Sequence, residues 1–287
     1  MSFRPDSPVE LPNGRLVCGL HRLIICPICT VDYSFMEETM EENEGFEDDH
    51  VSDEETISDI ISGTLRVGTG RVIPKKFHPA STSDTPQSLF PPRISERAIP
   101  PVCRFIHPTN SKQFLIYTDG ACLDNGRVNP RAGCSFVFKP STQQPQRPGY
   151  IRFPLENGGP TGEVHPQTSN RAELRAVIAA LRFRSWSGEG FNSLVIATDS
   201  EYVVEGVTSW VRGWLRRGWR TSTGAAVKNR DLWECLLGEI ERKDGHGLQV
   251  KFWHIPRGWN TDADYHAKHA ASEDTRGSFS DIAGVLV

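Results

Sequence analysis

The stretch Phe114-Leu-Ile-Tyr-Thr-Asp-Gly120 predicts a β-strand that delivers a carboxylate to its end. Side chains alternate between the two faces of a strand, so Ile116 points to one face and Asp119 to the other. Five of these residues are good strand formers, and Gly120 ends the run. A lone Thr-Asp-Gly is also a common turn. A catalytic role for Asp119 therefore depends on other carboxylates that could meet it.

Composition narrows the class of protein. The 287 residues are 37% hydrophobic and 24% charged. No apolar run approaches the roughly 18 residues that span a bilayer, and the N-terminus lacks a signal-peptide core, so we expect no membrane partner and an intracellular protein, nuclear or cytoplasmic. We expect a monomer. Residues 1–109 carry a net charge of −7 and residues 110–287 one of +3. The basic second part permits a nucleic-acid partner.

A Cys-x2-His-x4-Cys-x2-Cys pattern within residues 16–35 is typical of a small metal site. Tetrahedral Zn²⁺ is held by four nitrogen and sulfur ligands, and metal would supply folding energy to a segment too short to bury a core. The alternative is a short apolar strand whose Cys residues are simply buried hydrophobes. The candidate zinc ligands are Cys18, His21, Cys26 and Cys29.

The first 109 residues are otherwise expected to be mostly disordered. Residues 37–55 are densely acidic and contain no Lys or Arg, which is typical of a solvated tail, although an interaction segment is the alternative. Residues 62–109 are rich in Pro, Ser and Thr, and frequent Pro prevents long helices, so they predict a linker. The compact domain is expected to span residues 110–275, followed by a C-terminal tail at 276–287.

From residue 110 onward the pattern alternates between strands and helices. The short, apolar run 194–198 is typical of a buried strand, and apolar residues recur at helical spacing through 170–184. Three antiparallel strands followed by alternating helices and strands predict an α/β fold, a mixed sheet covered by helices. The predicted strands are 114–120, 132–138, 150–153, 194–198 and 250–255, and the predicted helices are 170–184, 200–215, 231–242 and 262–271.

Four acidic residues occupy comparable positions in these elements. Asp119 and Asp199 each end a predicted strand. Glu173 lies in the first turns of one helix, and Asp264 lies near the start of the last helix. Each also has a structural explanation, since Glu173 has capping-box spacing from Asn170, and an acid near a helix start caps it or complements its dipole. No single position decides between these roles.

The four acids stand in the motifs Tyr117-Thr-Asp-Gly120, Asn170-Arg-Ala-Glu173, Thr198-Asp-Ser200 and Asn260-Thr-Asp-Ala-Asp264. In order and spacing, these motifs resemble the acidic motifs of the type 1 ribonuclease H family. A loop at 125–133 looks like the eukaryotic form of the loop after the first motif, and residues 210–220 with 227–233 resemble the basic protrusion of the family. The resemblance covers about residues 112–273.

This resemblance implies a ribonuclease H-like fold, a five-stranded mixed sheet with helices on both faces. It also implies an endonuclease that cuts the RNA strand of RNA–DNA hybrids and leaves 5′-phosphate and 3′-hydroxyl ends. Converging carboxylates repel one another unless cations neutralise them, and hard oxygen ligands suit Mg²⁺, with Mn²⁺ as a substitute. By the resemblance Asp119 would bridge two ions, with Glu173 and Asp199 on one and Asp264 on the other.

The resemblance also indicates where nucleic acid would bind. Asn125, Thr168 and Asn170 would contact the backbone and the minor groove, where the 2′-hydroxyl distinguishes RNA from DNA. In the basic protrusion, cations would contact phosphates. Trp219 is expected to touch nucleic acid, whereas Trp210 is expected to pack in the core. The predicted contacts of the protrusion are Trp214, Arg216, Arg217, Trp219, Arg220, Lys228 and Asn229.

Two positions depart from the family pattern. Many members carry a His on a mobile loop before the last Asp, but residues 256–260 contain none. His254 lies on the preceding strand, and His266 and His269 follow in the helix, where we expect them to pack or face solvent. Pro166 stands where animal relatives have a basic residue that grips the DNA strand. The first departure predicts slow turnover, and the second predicts a weaker grip on DNA.

Two other functions remain open from the sequence. One is a nucleic-acid-binding module that keeps the fold without cleavage, which the presence of all four acids disfavours. The other is an interaction protein that recruits partners through the Cys/His segment and the acidic tract. Cleavage of a labelled hybrid would discriminate between these functions and the nuclease.

Overall fold

The structure is a computed structural model, and it describes residues 8–12, 14–35, 66–140, 148–275 and 277–284. The predicted acidic tract at 37–55 lies outside the described residues. No helix in the described ranges is both long enough and apolar enough to cross a membrane.

The described elements alternate as the sequence predicts from residue 110 onward. The strands are β1 (Val9–Glu10), β2 (Leu16–Val17), β3 (Ile25–Cys26), β4 (Val31–Asp32), β5 (Lys75–Lys76), β6 (Pro92–Ser95), β7 (Val102–Ile106), β8 (Gln113–Leu123), β9 (Arg131–Val137), β10 (Tyr150–Pro154), β11 (Ser193–Thr198) and β12 (Gln249–His254). The helices are α1 (Pro86–Leu89), α2 (Ser169–Arg182), α3 (Glu201–Glu205), α4 (Val211–Arg216), α5 (Arg230–Gly245) and α6 (Thr261–Ala271). A π-helical turn, Gly206–Trp210, joins α3 to α4, and a 3₁₀ turn, Arg257–Trp259, precedes α6.

A mixed sheet in the order β10-β9-β8-β11-β12-β5 forms the centre of the molecule. Strands β8, β9 and β10 are antiparallel, whereas β8, β11 and β12 are parallel. These five strands are the predicted five-stranded mixed sheet. Helix α2 packs against one face of β8 and β9, and α6 packs against the other face. The predicted arrangement of helices on both faces is thus confirmed.

Strand β8 is longer than predicted. It continues past Gly120 to Leu123 because Asp119 pairs with Ser135 of β9 and the pairing continues to the end of the strand. Asp119 therefore lies within the strand and not at its end. Alternation across β8 is as predicted, since Ile116 belongs to the core under α2, whereas Tyr117 belongs to the smaller core beside α6.

Residues 66–109 are not the linker that their Pro content predicted. Strand β5 pairs in parallel with β12, and β7 pairs antiparallel with the first half of β8. Pro92 begins β6, which pairs with β7 alone among the described strands, and such an edge tolerates a missing N–H. The packed unit therefore begins near residue 66 and not at residue 110.

The C-terminal residues 277–284 fold back onto α2. The Phe279 ring lies 4.3 Å from the Arg175 guanidinium carbon, and Asp281 pairs with Arg182 at 2.6 Å. The Gly284 backbone N–H donates to the Phe183 carbonyl at 2.8 Å. The part of the tail that the structure describes thus belongs to the packed unit.

Candidate active site

Three of the four predicted acids converge at one edge of the sheet. The candidate ligand oxygens of Asp119, Glu173 and Asp199 all lie within 4.8 Å of one another. Tyr117 of β8 pairs with Ala197 of β11, so the residues two positions further along these parallel strands emerge side by side. Asp119 and Glu173 are buried, and Asp199 is partly exposed. The strand register and α2 together build a compact carboxylate cluster.

Gly120 permits the approach that brings Glu173 to this cluster. A Cβ atom at Gly120 would lie 2.2 Å from the backbone nitrogen of Glu173, a distance that no side chain could tolerate. The glycine of the Thr-Asp-Gly motif therefore allows close contact between β8 and α2, and it does not form a turn. A larger residue here would push the helix, and with it the Glu173 carboxylate, away from Asp119.

The fourth predicted acid, Asp264, lies beside the cluster and is engaged by cations. It occupies the first turn of α6, where one carboxylate oxygen pairs with Arg257 and the other lies 2.7 Å from Lys268 Nζ. Its ligand atoms are not part of the three-residue group. Its charge nevertheless reaches the cluster, since it contributes to raising the pKa of Asp119.

The cluster holds more negative charge than it can keep without a cation. Burial, reinforced by Asp199 and Glu173, raises the pKa of Asp119 well above its usual range. Burial and Asp199 likewise raise the pKa of Glu173. Burial alone would lower the pKa of Arg257. The negative charges of Asp199 and Asp264 outweigh burial and raise this pKa.

The donor set fits a divalent cation. The Glu173 Oε2 atom is buried and accepts no hydrogen bond from the described residues, and buried polar atoms of this kind are rare unless a ligand or water satisfies them. Three carboxylates supply the hard oxygen ligands that Mg²⁺ prefers. Asp119, Glu173 and Asp199 could therefore hold such an ion.

Asn260 forms hydrogen bonds that position the cluster, a role that the sequence does not predict. Its Nδ2 donates to the Thr118 carbonyl at 2.9 Å and to Asp199 Oδ1 at 2.7 Å, and it lies 3.4 Å from Asp119 Oδ1. The amide thus links β8 to the residue that follows β11. Its position as the first residue of the fourth motif was the available signal.

The raised pKa values predict that stability without Mg²⁺ falls as pH rises. Above their ordinary values of 3.8 and 4.5, Asp119 and Glu173 hold protons in the folded state that they lose on unfolding. Unfolding therefore releases protons, and stability decreases from about pH 4 up to the raised folded pKa values. Thermal unfolding should show Tm falling between about pH 5 and pH 8, and added Mg²⁺ should restore roughly 2–4 °C at the higher pH. A Tm that rises over this range, or an equal Mg²⁺ effect at both pH values, would contradict the assignment.

The residues predicted to contact nucleic acid near α2 have different surroundings. Asn125 is buried and donates to Ser169 Oγ at 3.1 Å, and Thr168 caps α2 by accepting from the Arg171 backbone N–H at 3.2 Å. Both positions support the start of the helix. Asn170 is partly exposed and lines the same cleft as the carboxylates. Of the three, Asn170 is the one best placed to reach a ligand in the cleft.

In the basic protrusion, the predicted cations are exposed, whereas Trp214 and Trp219 are buried. Trp214 and Trp219 are 4% and 8% exposed and belong to the main core. The prediction that Trp219 offers its face to nucleic acid is wrong, because the ring packs within the protrusion. Asn229 caps α5 in a left-handed conformation, and its amide donates to the Tyr202 hydroxyl at 3.2 Å. The predicted contacts that are exposed are Arg216, Arg217, Arg220 and Lys228.

The histidines and Pro166 lie as the sequence indicates. His254 is exposed at the end of β12, with its Nε2 3.3 Å from the Asp199 carbonyl. His266 stacks on Tyr150 at 3.5 Å, and His269 is exposed. The expectation that these two residues pack or face solvent is confirmed. Pro166 is exposed beside the start of α2.

The four candidate zinc ligands converge on one point. The candidate ligand atoms of Cys18, His21, Cys26 and Cys29 all lie within 4.8 Å of one another. His21 Nδ1 is 3.2 Å from the sulfur of Cys29 and 3.4 Å from that of Cys26. Ile25 is 39% exposed, so the segment does not form the buried apolar strand of the alternative interpretation. These donors could hold a soft tetrahedral metal.

Comparison with known proteins agrees with this geometry. The family model for RNase H matches residues 111–272. Human Ribonuclease H1 is 34% identical over 178 residues, which cover 61% of this chain and 55% of the human protein. The Ribonuclease H of Treponema pallidum is 40% identical over 121 residues, covering 42% of this chain and 69% of that protein. The Ribonuclease H of Tolumonas auensis is 34% identical over 165 residues, covering 58% and 94%.

A solved structure described as LC9-RNase H1, a type 1 RNase H with the type 2 active-site motif, is 29% identical. It covers 56% of this chain and 72% of its own chain, with a TM-score of 0.38. The chain spans about half the length of the mammalian relatives that it matches. Since the family model matches more than half of the chain, this protein belongs to the RNase H family.

Proposed function

We propose that this protein is an endoribonuclease that hydrolyses the RNA strand of RNA–DNA hybrids with the help of two divalent ions. The observation that carries the proposal is the convergence of Asp119, Glu173 and Asp199, whose crowded charges call for cations. The family model for RNase H matches residues 111–272, which include these three acids. Products would carry 5′-phosphate and 3′-hydroxyl ends.

The chain's own residues would divide the work at the site. Two bound Mg²⁺ ions, or Mn²⁺ in their place, would supply an activated water and charge stabilisation for the leaving 3′-oxygen. Asp119 would be the shared ligand, and Glu173 and Asp199 would complete one site. Asp264 would serve the second site after leaving Arg257 and Lys268, with which it pairs in the structure. Asn260 would keep the carboxylates of Asp119 and Asp199 in register.

The substrate would be held largely through its backbone. The exposed cations Arg216, Arg217, Arg220 and Lys228 would contact phosphates, and such contacts make affinity fall with added salt. Asn170, at the start of α2, would face the groove that displays the 2′-hydroxyl of RNA. This division predicts recognition of a hybrid duplex without reading of its base sequence.

A cleavage assay on the full chain tests this function. An end-labelled RNA–DNA hybrid, a duplex RNA, a duplex DNA and a single-stranded RNA would each be incubated with the protein and Mg²⁺. We expect internal cuts in the RNA strand of the hybrid alone, with ends that accept 3′-ligation directly. No cleavage, or equal cleavage of duplex RNA, would refute the proposal.

The absence of His from residues 256–260 predicts slow turnover. Without this His to assist proton transfer or product release, we expect steady-state rates roughly 10- to 100-fold below those of a family member that carries it. Both enzymes would be measured on the same hybrid at the same Mg²⁺ concentration, together with hybrid affinity. Equal turnover of the two enzymes would show that this residue is not needed here.

We also propose that the Cys/His cluster binds Zn²⁺. Three thiolates and one imidazole form a tetrahedral zinc ligand set, and their candidate ligand atoms already lie within 4.8 Å of one another. The soft sulfur ligands would select zinc over Mg²⁺ at this position. Metal analysis of the purified full chain should therefore find about one zinc per molecule.

A further inference from the structure

The Cys/His segment continues directly into the wall of the catalytic cleft. Residues 30–35, which we call the strap, follow Cys29 and include β4. The strap contacts α2, the helix that carries Glu173. The strap residues that line the same cavity as Asp119, Glu173 and Asp199 are Thr30, Val31, Asp32, Tyr33 and Phe35.

The space between the strap and the carboxylates is small. Its volume is about 40 Å³, room for about three water molecules. The strap thus occupies the part of the cleft beside Asp119 and Glu173 that a ribose-phosphate unit would have to enter. Val31 and Tyr33 also line a second cavity of about 300 Å³, which is bordered by His254 and Pro256. Asp199 also lines this larger space, whereas Asp119 and Glu173 do not, so the strap separates those two carboxylates from it.

An aromatic side chain fixes the far end of the strap. Phe35 is 4% exposed, and its ring centroid lies 5.5 Å from that of Tyr202 and 5.4 Å from that of Trp210. Tyr202 follows Asp199 closely in α3, so this contact covers the cleft from the side of β11. The ring belongs to the main core of the molecule, which makes the docked strap part of the packed structure.

Arg257 fixes the end of the strap that follows Cys29 and links this end to Asp264. Its guanidinium donates to the Cys29 carbonyl at 2.6 Å and to Thr30 Oγ1 at 3.2 Å, and it also pairs with Asp264. The same side chain thus holds the start of the strap and occupies the carboxylate of Asp264. Docking of the strap and engagement of Asp264 occur together in this arrangement.

The segment that precedes the strap has only a small core of its own. Its strands β3 and β4 are two residues long, and Leu20 and Ile28 are exposed at 56% and 64%. A segment with so small a core depends on metal for its folding energy. The last ligand, Cys29, is adjacent to Thr30, so occupancy of the metal site sets where the strap begins.

We propose that zinc bound by Cys18, His21, Cys26 and Cys29 holds residues 30–35 as a closing strap over the carboxylate cluster, so that nucleic acid must displace the strap to bind. The identity of the displacing ligand as an RNA–DNA hybrid rests on the proposed function. Loss of the metal would release the strap, uncover the cleft and free Arg257 from Cys29 and Thr30.

The test compares full-length variants in an Asp119→Asn background, which removes cleavage during binding measurements. Cys26→Ser/Cys29→Ser removes two ligands, and Cys103→Ser is the matched control because Cys103 is partly exposed on β7, away from the cluster. We expect the double variant to lose zinc, to exchange amide hydrogens faster at residues 30–35, and to bind hybrid with a Kd lower by roughly tenfold. The control should match the parent in all three measurements.

A second variant keeps the metal site and releases the end of the strap at Phe35. Phe35→Ala should retain zinc and still bind hybrid more tightly, which a general loss of folding would not produce. The proposal is overturned if the parent holds no zinc, if zinc loss leaves exchange at residues 30–35 unchanged, or if the released variants bind hybrid equally or more weakly. If no variant binds hybrid while zinc content and exchange change as expected, the strap stands and the proposed function fails.

Discussion

Replacing Asp119 with Asn is expected to lower hybrid cleavage by about 10³-fold, which corresponds to about 4 kcal/mol of transition-state stabilisation. Asp119 is 3% exposed, and its candidate ligand atoms lie within 4.8 Å of those of both Glu173 and Asp199. An amide keeps the shape of the side chain but removes the charge that would bind a shared cation. Single-turnover cleavage with saturating enzyme measures the loss without interference from product release.

A nearby acid provides the control for this substitution. Asp262 lies in the same first turn of α6 as Asp264 but is exposed and outside the cluster. Asp262→Asn should retain cleavage within about twofold, since surface substitutions of this kind are close to neutral. Both variants should unfold cooperatively. Asp119→Asn should lose the part of the pH dependence of Tm that Asp119 contributes without Mg²⁺, while the part from Glu173 remains. An Asp119→Asn protein that cuts as fast as the wild type would show that the cluster is not catalytic.

The carboxylate cluster could be predicted from the sequence because each acid belongs to a short motif. Asp199 follows β11, and Asp119 lies in β8 two positions beyond the last residue that pairs with β11, so parallel pairing places the two acids side by side. The residues that contact these acids could not be predicted in the same way. Asn260 and Arg257 act through contacts that depend on the three-dimensional course of residues 256–260, which no local pattern encodes.

Predictions from composition are wrong where contacts in the folded structure outweigh the local preferences of the sequence. The Pro residues of 62–109 exclude long helices, but they do not exclude edge strands, since β6 pairs with β7 and β7 pairs with β8. The sequence predicts that Trp219 touches nucleic acid, but the residue is only 8% exposed. Its burial follows from packing beside Trp214, a contact set by the fold of the protrusion.

A second large effect is expected in stability, at an ion pair beneath α2. Glu156 accepts hydrogen bonds from Arg175 Nε at 3.0 Å and from Nη2 at 2.7 Å, and both side chains are 1% exposed. Arg175 lies on the same helix as Glu173, two residues nearer the C-terminal end of α2. Glu156→Gln would leave a buried guanidinium without its counter-charge. Such a loss costs about 3–5 kcal/mol.

Differential scanning calorimetry should record this loss as a fall in Tm of roughly 6–20 °C. The control is Glu273→Gln at the exposed pair with Arg152, whose side chains are 43% and 33% exposed, and it should cost less than about 1 kcal/mol.

A double variant separates the charge from the packing. Arg175→Met added to Glu156→Gln removes the uncompensated cation, so it should recover part of the lost stability. Arg175 also packs over the rings of Phe153 and Phe279 and donates to the Ser280 carbonyl, and these contacts limit the recovery. If the double variant is less stable than Glu156→Gln by the full cost of a second deletion, then the buried charge is not the cause. In that case the packing of Arg175 beneath α2, and not its pairing with Glu156, is what holds the helix that carries Glu173.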